Sequence, residues 1–194
     1  PCQARLLAAL GGRAEHWSAA LGERLVFWCR PVAHADTLEH WLERADARGW
    51  GVARLCAGDP AHDLAELRAS ACAARDLLDY ARSRLPGRRV VTLDGHRLAS
   101  LLFSQRDSWQ VRQLLAPLQR LLDHDPQGSL AATLESWCAH DGHAQACAQA
   151  LGIHRNSLRY RLERIASISG LDLARLEHRQ QLLLGLQLLV PRRG

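Results

Sequence analysis

The spacing of apolar residues changes once along this chain, and that change constrains the fold more than any other feature. From Arg24 to Leu93, short apolar runs alternate with longer stretches at helical spacing; beyond Gly95 only the helical spacing remains. The first pattern predicts strands joined by helices, and the second predicts a purely helical unit.

In the first region RLVFWCR (Arg24 to Arg30), bounded by Gly22 and Pro31, predicts a buried strand. Asp36 to Arg48 carries Leu38, Trp41, Leu42 and Ala45 at helical spacing, with Gly49 as a stop. GVARLC (Gly51 to Cys56) predicts a second strand, closed by Gly58-Asp59-Pro60. A long helix follows from His62 to Arg84, striped by Leu64, Leu67, Ala71, Ala74, Leu77, Leu78 and Ala81 and ended by Pro86-Gly87. RVVTL (Arg89 to Leu93) predicts a third strand before the turn at Asp94-Gly95. Residues 1 to 21 read as helical.

Past Gly95, Val111, Leu114, Leu115, Leu118, Leu121 and Leu122 form one amphipathic stripe. Pro117 interrupts it, predicting either a kink or a new helix. Asp123 to Gly128, DHDPQG, reads as a linker between residues 1–125 and residues 129–194.

The chain has 194 residues, 25 basic and 20 acidic, for a net charge of +5. All the basic residues are Arg, which suits either bidentate phosphate binding or the codon habit of a GC-rich genome. There is no Met and the first residue is Pro1, as expected of a piece of a longer protein. At 47% hydrophobic and 23% charged, the composition excludes wholesale disorder. LLLGLQLLV (Leu182 to Val190) is far short of the roughly 20 residues that cross a bilayer, so no membrane partner is expected and the localisation expected is cytoplasmic. Cys2, Cys29, Cys56, Cys72, Cys138 and Cys147 form no C-x-x-C pair, which predicts free thiols in a reducing compartment.

The most informative segment is Ser129 to Val190. Leu130, Leu134 and Trp137 stripe a helix ending at Asp141-Gly142, a short helix follows from Ala144 to Leu151, and a third runs from His154 to about Ser167 after a break at Gly152. Ala148, Leu151, Ile153, Leu158 and Leu162 stand where a helix-turn-helix packs. At 100° per residue, Leu158, Leu162 and Ile165 share one face. The opposite face carries Asn156, Tyr160 and Glu163, with Ser157, Arg159 and Arg164 beside them and Arg155 and Arg161 at the core edge. Glu163 is expected to pair with Arg159 four residues before it.

That face suits a DNA major groove. Asn bonds adenine bidentately, Arg bonds guanine and Ser either, while flanking Arg and helix N-terminal amides hold phosphates. Ile153 to Ile165 holds four Arg against one Glu; residues 1–128 hold 17 Arg against 15 acids. The positive field therefore concentrates on the motif.

The string LGIHRNSLRYRLERIASISGLDL (Leu151 to Leu173), followed by EHRQQLLLGLQLL, resembles the C-terminal helix-turn-helix of the PucR and CdaR family of bacterial transcription regulators. TLESW (Thr133 to Trp137) and LLAPLQRLLDHD (Leu114 to Asp125) resemble the segments that lead into it. His143 and Gln145 depart from the small polar caps usual at the second helix. A weaker resemblance across residues 22–110 implies a degenerate GGDEF nucleotide-cyclase-like domain. Leu21-Gly22-Glu23-Arg24-Leu25 stands where the cyclase turn would be, so two-metal chemistry is not supported.

The implied fold class is α+β: a degenerate cyclase-like sheet with helices, followed by an all-α helix-turn-helix domain. The resemblance implies a sequence-specific DNA-binding regulator of a catabolic or metabolic operon, with a ligand-sensing domain upstream, no catalysis and no cofactor. The expected partners are the major groove of double-stranded DNA and a second copy in a homodimer or higher homo-oligomer. The expected DNA-binding residues are His154, Arg155, Asn156, Ser157, Arg159, Tyr160, Arg161 and Arg164.

Three other readings stay open on the residues alone. Glu23, Asp59 or Asp94 could serve a nucleotide site; Cys138, His140, His143 and Cys147 have zinc-type side chains at an uncommon spacing. Leu182, Leu183, Leu186 and Leu189 could form either core or a dimer interface.

Overall fold

The computed structural model describes residues 17–21, 24–28 and 35–189, with side chains from Leu38 onward. Strands β1 (Trp17–Leu21) and β2 (Arg24–Trp28) pair antiparallel, with Leu21 opposite Arg24 and Trp17 opposite Trp28. Residues 17–21, expected to be helical, are thus a strand, because their pairing with 24–28 supplies the backbone bonds a helix would otherwise make. The expected helix over residues 1 to 16 lies outside the described residues.

Helix α1 (Ala35–Ala47) leads to β3 (Leu55–Ala57), which pairs parallel with β4 (Val90–Thr92) across the long helix α2 (Leu64–Arg84). Strand, crossover helix and parallel strand form one β–α–β unit. The described strands make two separate two-stranded sheets rather than one.

Both inner strands are shorter than the apolar runs that announce them, and arginines explain why. Arg89 donates to the carbonyls of Val52 (2.6 Å) and Ala53 (3.4 Å), and Arg54 to those of Leu85, Pro86 and Arg88. Acceptors that a ladder would use are bound by guanidinium groups, and the ladder begins only where the Leu55 N–H meets the Arg89 carbonyl. Arg89 also grips both oxygens of Asp46, at 2.7 and 2.9 Å, holding that carboxyl below its usual range. Leu77, Tyr80, Ala81, Leu85 and Val91 are buried here, whereas Leu64 at the start of α2 is 84% exposed.

The chain divides into two compact units at Leu101/Leu102, not at the expected linker over residues 123–128. The short helix α3 (Arg97–Ser104) spans the division. Helices α4 (Trp109–Asp123), α5 (Ser129–Ala139), α6 (Ala144–Ala150), α7 (Arg155–Ser169) and α8 (Leu176–Leu189) follow.

Helix α4 belongs with the second unit because its stripe closes that unit's core: Leu118 and Leu121 pack with Leu130, Leu134, Ile165, Leu182 and Leu186. Pro117 lies inside α4 without ending it. The missing Pro117 N–H weakens bonding near that turn, and the Gln181 amide donates to the Leu114 carbonyl there, at 2.9 Å. Gly185 lets α8 approach α4, since a Cβ would stand 2.9 Å from Leu118 Cδ2. Leu182 and Leu186 are core rather than interface, at 0 and 1% exposure.

Candidate nucleic-acid interface

The second unit positions α7 through both of its ends and its buried face. Helix α6 closes with Leu151 as its cap and Gly152 at φ +63°. The Gly152 N–H reaches the Gln149 carbonyl (3.1 Å) and the Ile153 N–H reaches that of Ala148 (3.0 Å), the paired bonds of a Schellman stop. A side chain at the left-handed position is disfavoured, so this turn requires Gly. The chain re-enters a helix at Arg155, three residues later.

The start of α7 is capped by His154, whose Nδ1 accepts the Asn156 N–H at 3.2 Å. That bond puts the ring proton of neutral His154 on Nε2. The far end closes at Gly170, φ +74°, where Arg120 of α4 donates to the Ser169 carbonyl at 2.8 Å. A cation on that carbonyl also complements the negative end of the helix.

Leu158 packs with Cys147 and Ala148, and Ile165 packs in the main core, with Leu162 touching both clusters. Each fully buried Leu or Ile contributes about 1.5–3 kcal/mol, so α7 is held firmly on its apolar side. The entry to α6 is weaker: His143 is its cap and makes no side-chain capping bond.

The opposite face is open. His154, Arg155, Asn156, Ser157, Arg159, Tyr160 and Arg164 are all exposed, Tyr160 to 61%. Arg159 lies 3.8 Å from Glu163, the expected pair, on side chains 74 and 69% exposed. Such a surface pair is worth little and leaves Arg159 readily available to another partner. Arg164 Nη1 stands 3.4 Å from the Tyr160 hydroxyl. Arg161 differs from the rest: it is half-buried and donates to Thr133 Oγ1 of α5 at 3.3 Å.

The rival sites fare differently. Asp59 has both carboxylate oxygens on Arg97, at 2.6 and 2.7 Å, so it is already neutralised; Glu23 lies outside the described residues. Cys147 is buried, and the Cys138 thiol is pushed up chiefly by burial. No group of three or more metal-ligating side chains comes together among the described residues. Three contributors escaped sequence reasoning. Arg120 and Thr133 hold α7 from other helices, and the 124–127 segment borders it although its composition reads as a linker.

Two short helices joined by a Gly turn, the second presenting a polar, arginine-rich face, define a helix-turn-helix unit. Residues 130–188 match the PucR C-terminal helix-turn-helix domain. The chain is 34% identical over 155 residues to the carbohydrate diacid regulator of Escherichia coli (strain K12), covering 80% of this chain and 40% of that protein. It is 32% identical over 112 residues to a Haemophilus influenzae protein, covering 58% of this chain and 30% of the other. The chain therefore spans less than half the length of these relatives. Among solved structures, the regulator of polyketide synthase expression from Bifidobacterium adolescentis aligns with 95% of this chain and 71% of that one, at 18% identity and TM-score 0.39.

Proposed function

We propose that the chain is a sequence-specific DNA-binding transcriptional regulator in which α7 lies in the major groove. One observation carries the reading: a helix fixed by core contacts and by bonds at both ends turns Arg155, Asn156, Ser157, Arg159 and Tyr160 to solvent. In this reading Asn156, Ser157, Arg159 and Tyr160 contact base edges, and Arg155, Arg161 and Arg164 contact phosphates. His154 sits beside them as the cap that fixes the first turn. No catalytic step is needed.

The regulator works as a homodimer on half-sites about 10 base pairs or a multiple apart. Its place is the bacterial cytoplasm, where the DNA is. Its target is a catabolic or metabolic operon, a reading favoured by its likeness to a carbohydrate diacid regulator. The β3–α2–β4 unit supports reading the first unit as a degenerate cyclase-like fold.

The test selects bound sites from a random duplex pool and then compares Asn156→Ala on the selected and on random DNA. A loss of about 1–3 kcal/mol on the selected site with little change on random DNA is expected. Equal losses on both would make Asn156 a positioning residue, and failure to enrich any sequence would overturn the reading.

A further inference from the structure

An open groove of about 530 Å³ runs along one flank of α7, between that helix and the segment entering α5. Its walls carry Asn156, Tyr160, Arg161 and Arg164 from α7, and His124 and Gln127 from the facing segment. Asp125 is the one acid in the lining, and its carboxylate is already engaged. It accepts the Leu130 and Ala131 N–H groups, both at 2.8 Å, and the Ser129 hydroxyl at 3.3 Å.

The donors are less committed. Among the described residues Arg161 uses one of its five N–H groups, on Thr133, and Arg164 reaches only the Tyr160 hydroxyl, at 3.4 Å. His124 Nδ1 lies 2.8 Å from the Arg120 carbonyl and must donate to it, which leaves neutral His124 an acceptor at Nε2. Gln127 is exposed and has an amide to offer. Two guanidinium groups and an amide around a concave surface, facing an acid already spent on a helix start, suit a phosphodiester.

Geometry places such a group there once α7 is in DNA. A helix with side chains is about 10–12 Å across and the major groove is about 12 Å wide, so both backbones press on the helix flanks. We propose that this groove seats the phosphates of the DNA strand on the α5 side, through Gln127, Arg161 and Arg164. The inference rests on α7 being the recognition helix, and it extends the interface to a segment whose composition suggests only a linker.

The experiment measures binding of the full chain by fluorescence anisotropy to a duplex it selects from a random pool and to a random duplex. Gln127→Glu sets a carboxylate against the phosphate and should weaken both complexes about fivefold to tenfold, leaving the preference between them unchanged. Gln127→Arg should steepen the salt dependence by about 0.9 in log–log slope. Circular dichroism melts confirm that both variants fold. Wild-type affinity and slope in both variants would overturn the groove contact, as would a loss confined to the selected duplex. Asn156→Ala separates the two ideas. If it loses the preference while both Gln127 variants bind either duplex like the parent chain, the groove fails and the recognition helix stands; if the parent chain ignores DNA, both fail.

Discussion

The sharpest prediction concerns salt. The arginines of α7 are Arg155, Arg159, Arg161 and Arg164, and among the described residues none is engaged in a buried ion pair. Arg159 shares an exposed pair with Glu163 and is assigned to base edges, and Arg161 spends one N–H on Thr133. With Arg155, Arg161 and Arg164 each reaching one phosphate, the log of affinity should fall against log salt with a slope of about −2.7 per protomer. Raising salt from 50 to 200 mM then weakens binding roughly 40-fold per protomer on the same relation. Fluorescence anisotropy across that range, with stoichiometry measured alongside, reads the slope; a dimer doubles it. Arg155→Ala should reduce the slope by about 1 without altering which duplex is preferred. Affinity that ignores salt, or an unchanged slope in Arg155→Ala, would refute the phosphate assignments.

Two further outcomes test the packing and the thiols. Gly185→Ala should destabilise the second unit by about 1–3 kcal/mol in urea unfolding, because the new Cβ meets Leu118 at 2.9 Å; wild-type stability would show that α4 and α8 separate freely. Burial pushes the Cys56 thiol up to about 11, so at pH 8 it stays protonated and resists alkylation. Cys72 is exposed and should be modified well before Cys56, Cys138 or Cys147 by mass spectrometry; equal rates would contradict the burial described.

The helix-turn-helix was legible in sequence because its signals are local. A Gly stop, a cap and a stripe at three- and four-residue spacing act within a turn or two of chain, so α6 and α7 fall within two residues of their expected ends. The exposed face of α7 follows from the same periodicity, as does the Arg159–Glu163 pair. Strand limits were less legible. The 51–56 run reads as a strand from its apolar content, yet Arg89 binds the carbonyls of Val52 and Ala53 from more than thirty residues away.

By itself the sequence determined a two-part chain with a helical, arginine-concentrated end and the identity of the face that end turns to solvent. Only the tertiary structure decided that residues 17–21 are a strand, that α4 belongs to the helical unit, and that Arg161 and Arg164 face the 124–127 segment across a groove. The division has a physical cause. Helix propensity, caps and periodicity are set by neighbours within about four residues, whereas pairing and burial depend on partners far along the chain, whose gain must exceed the entropy of closing the intervening loop.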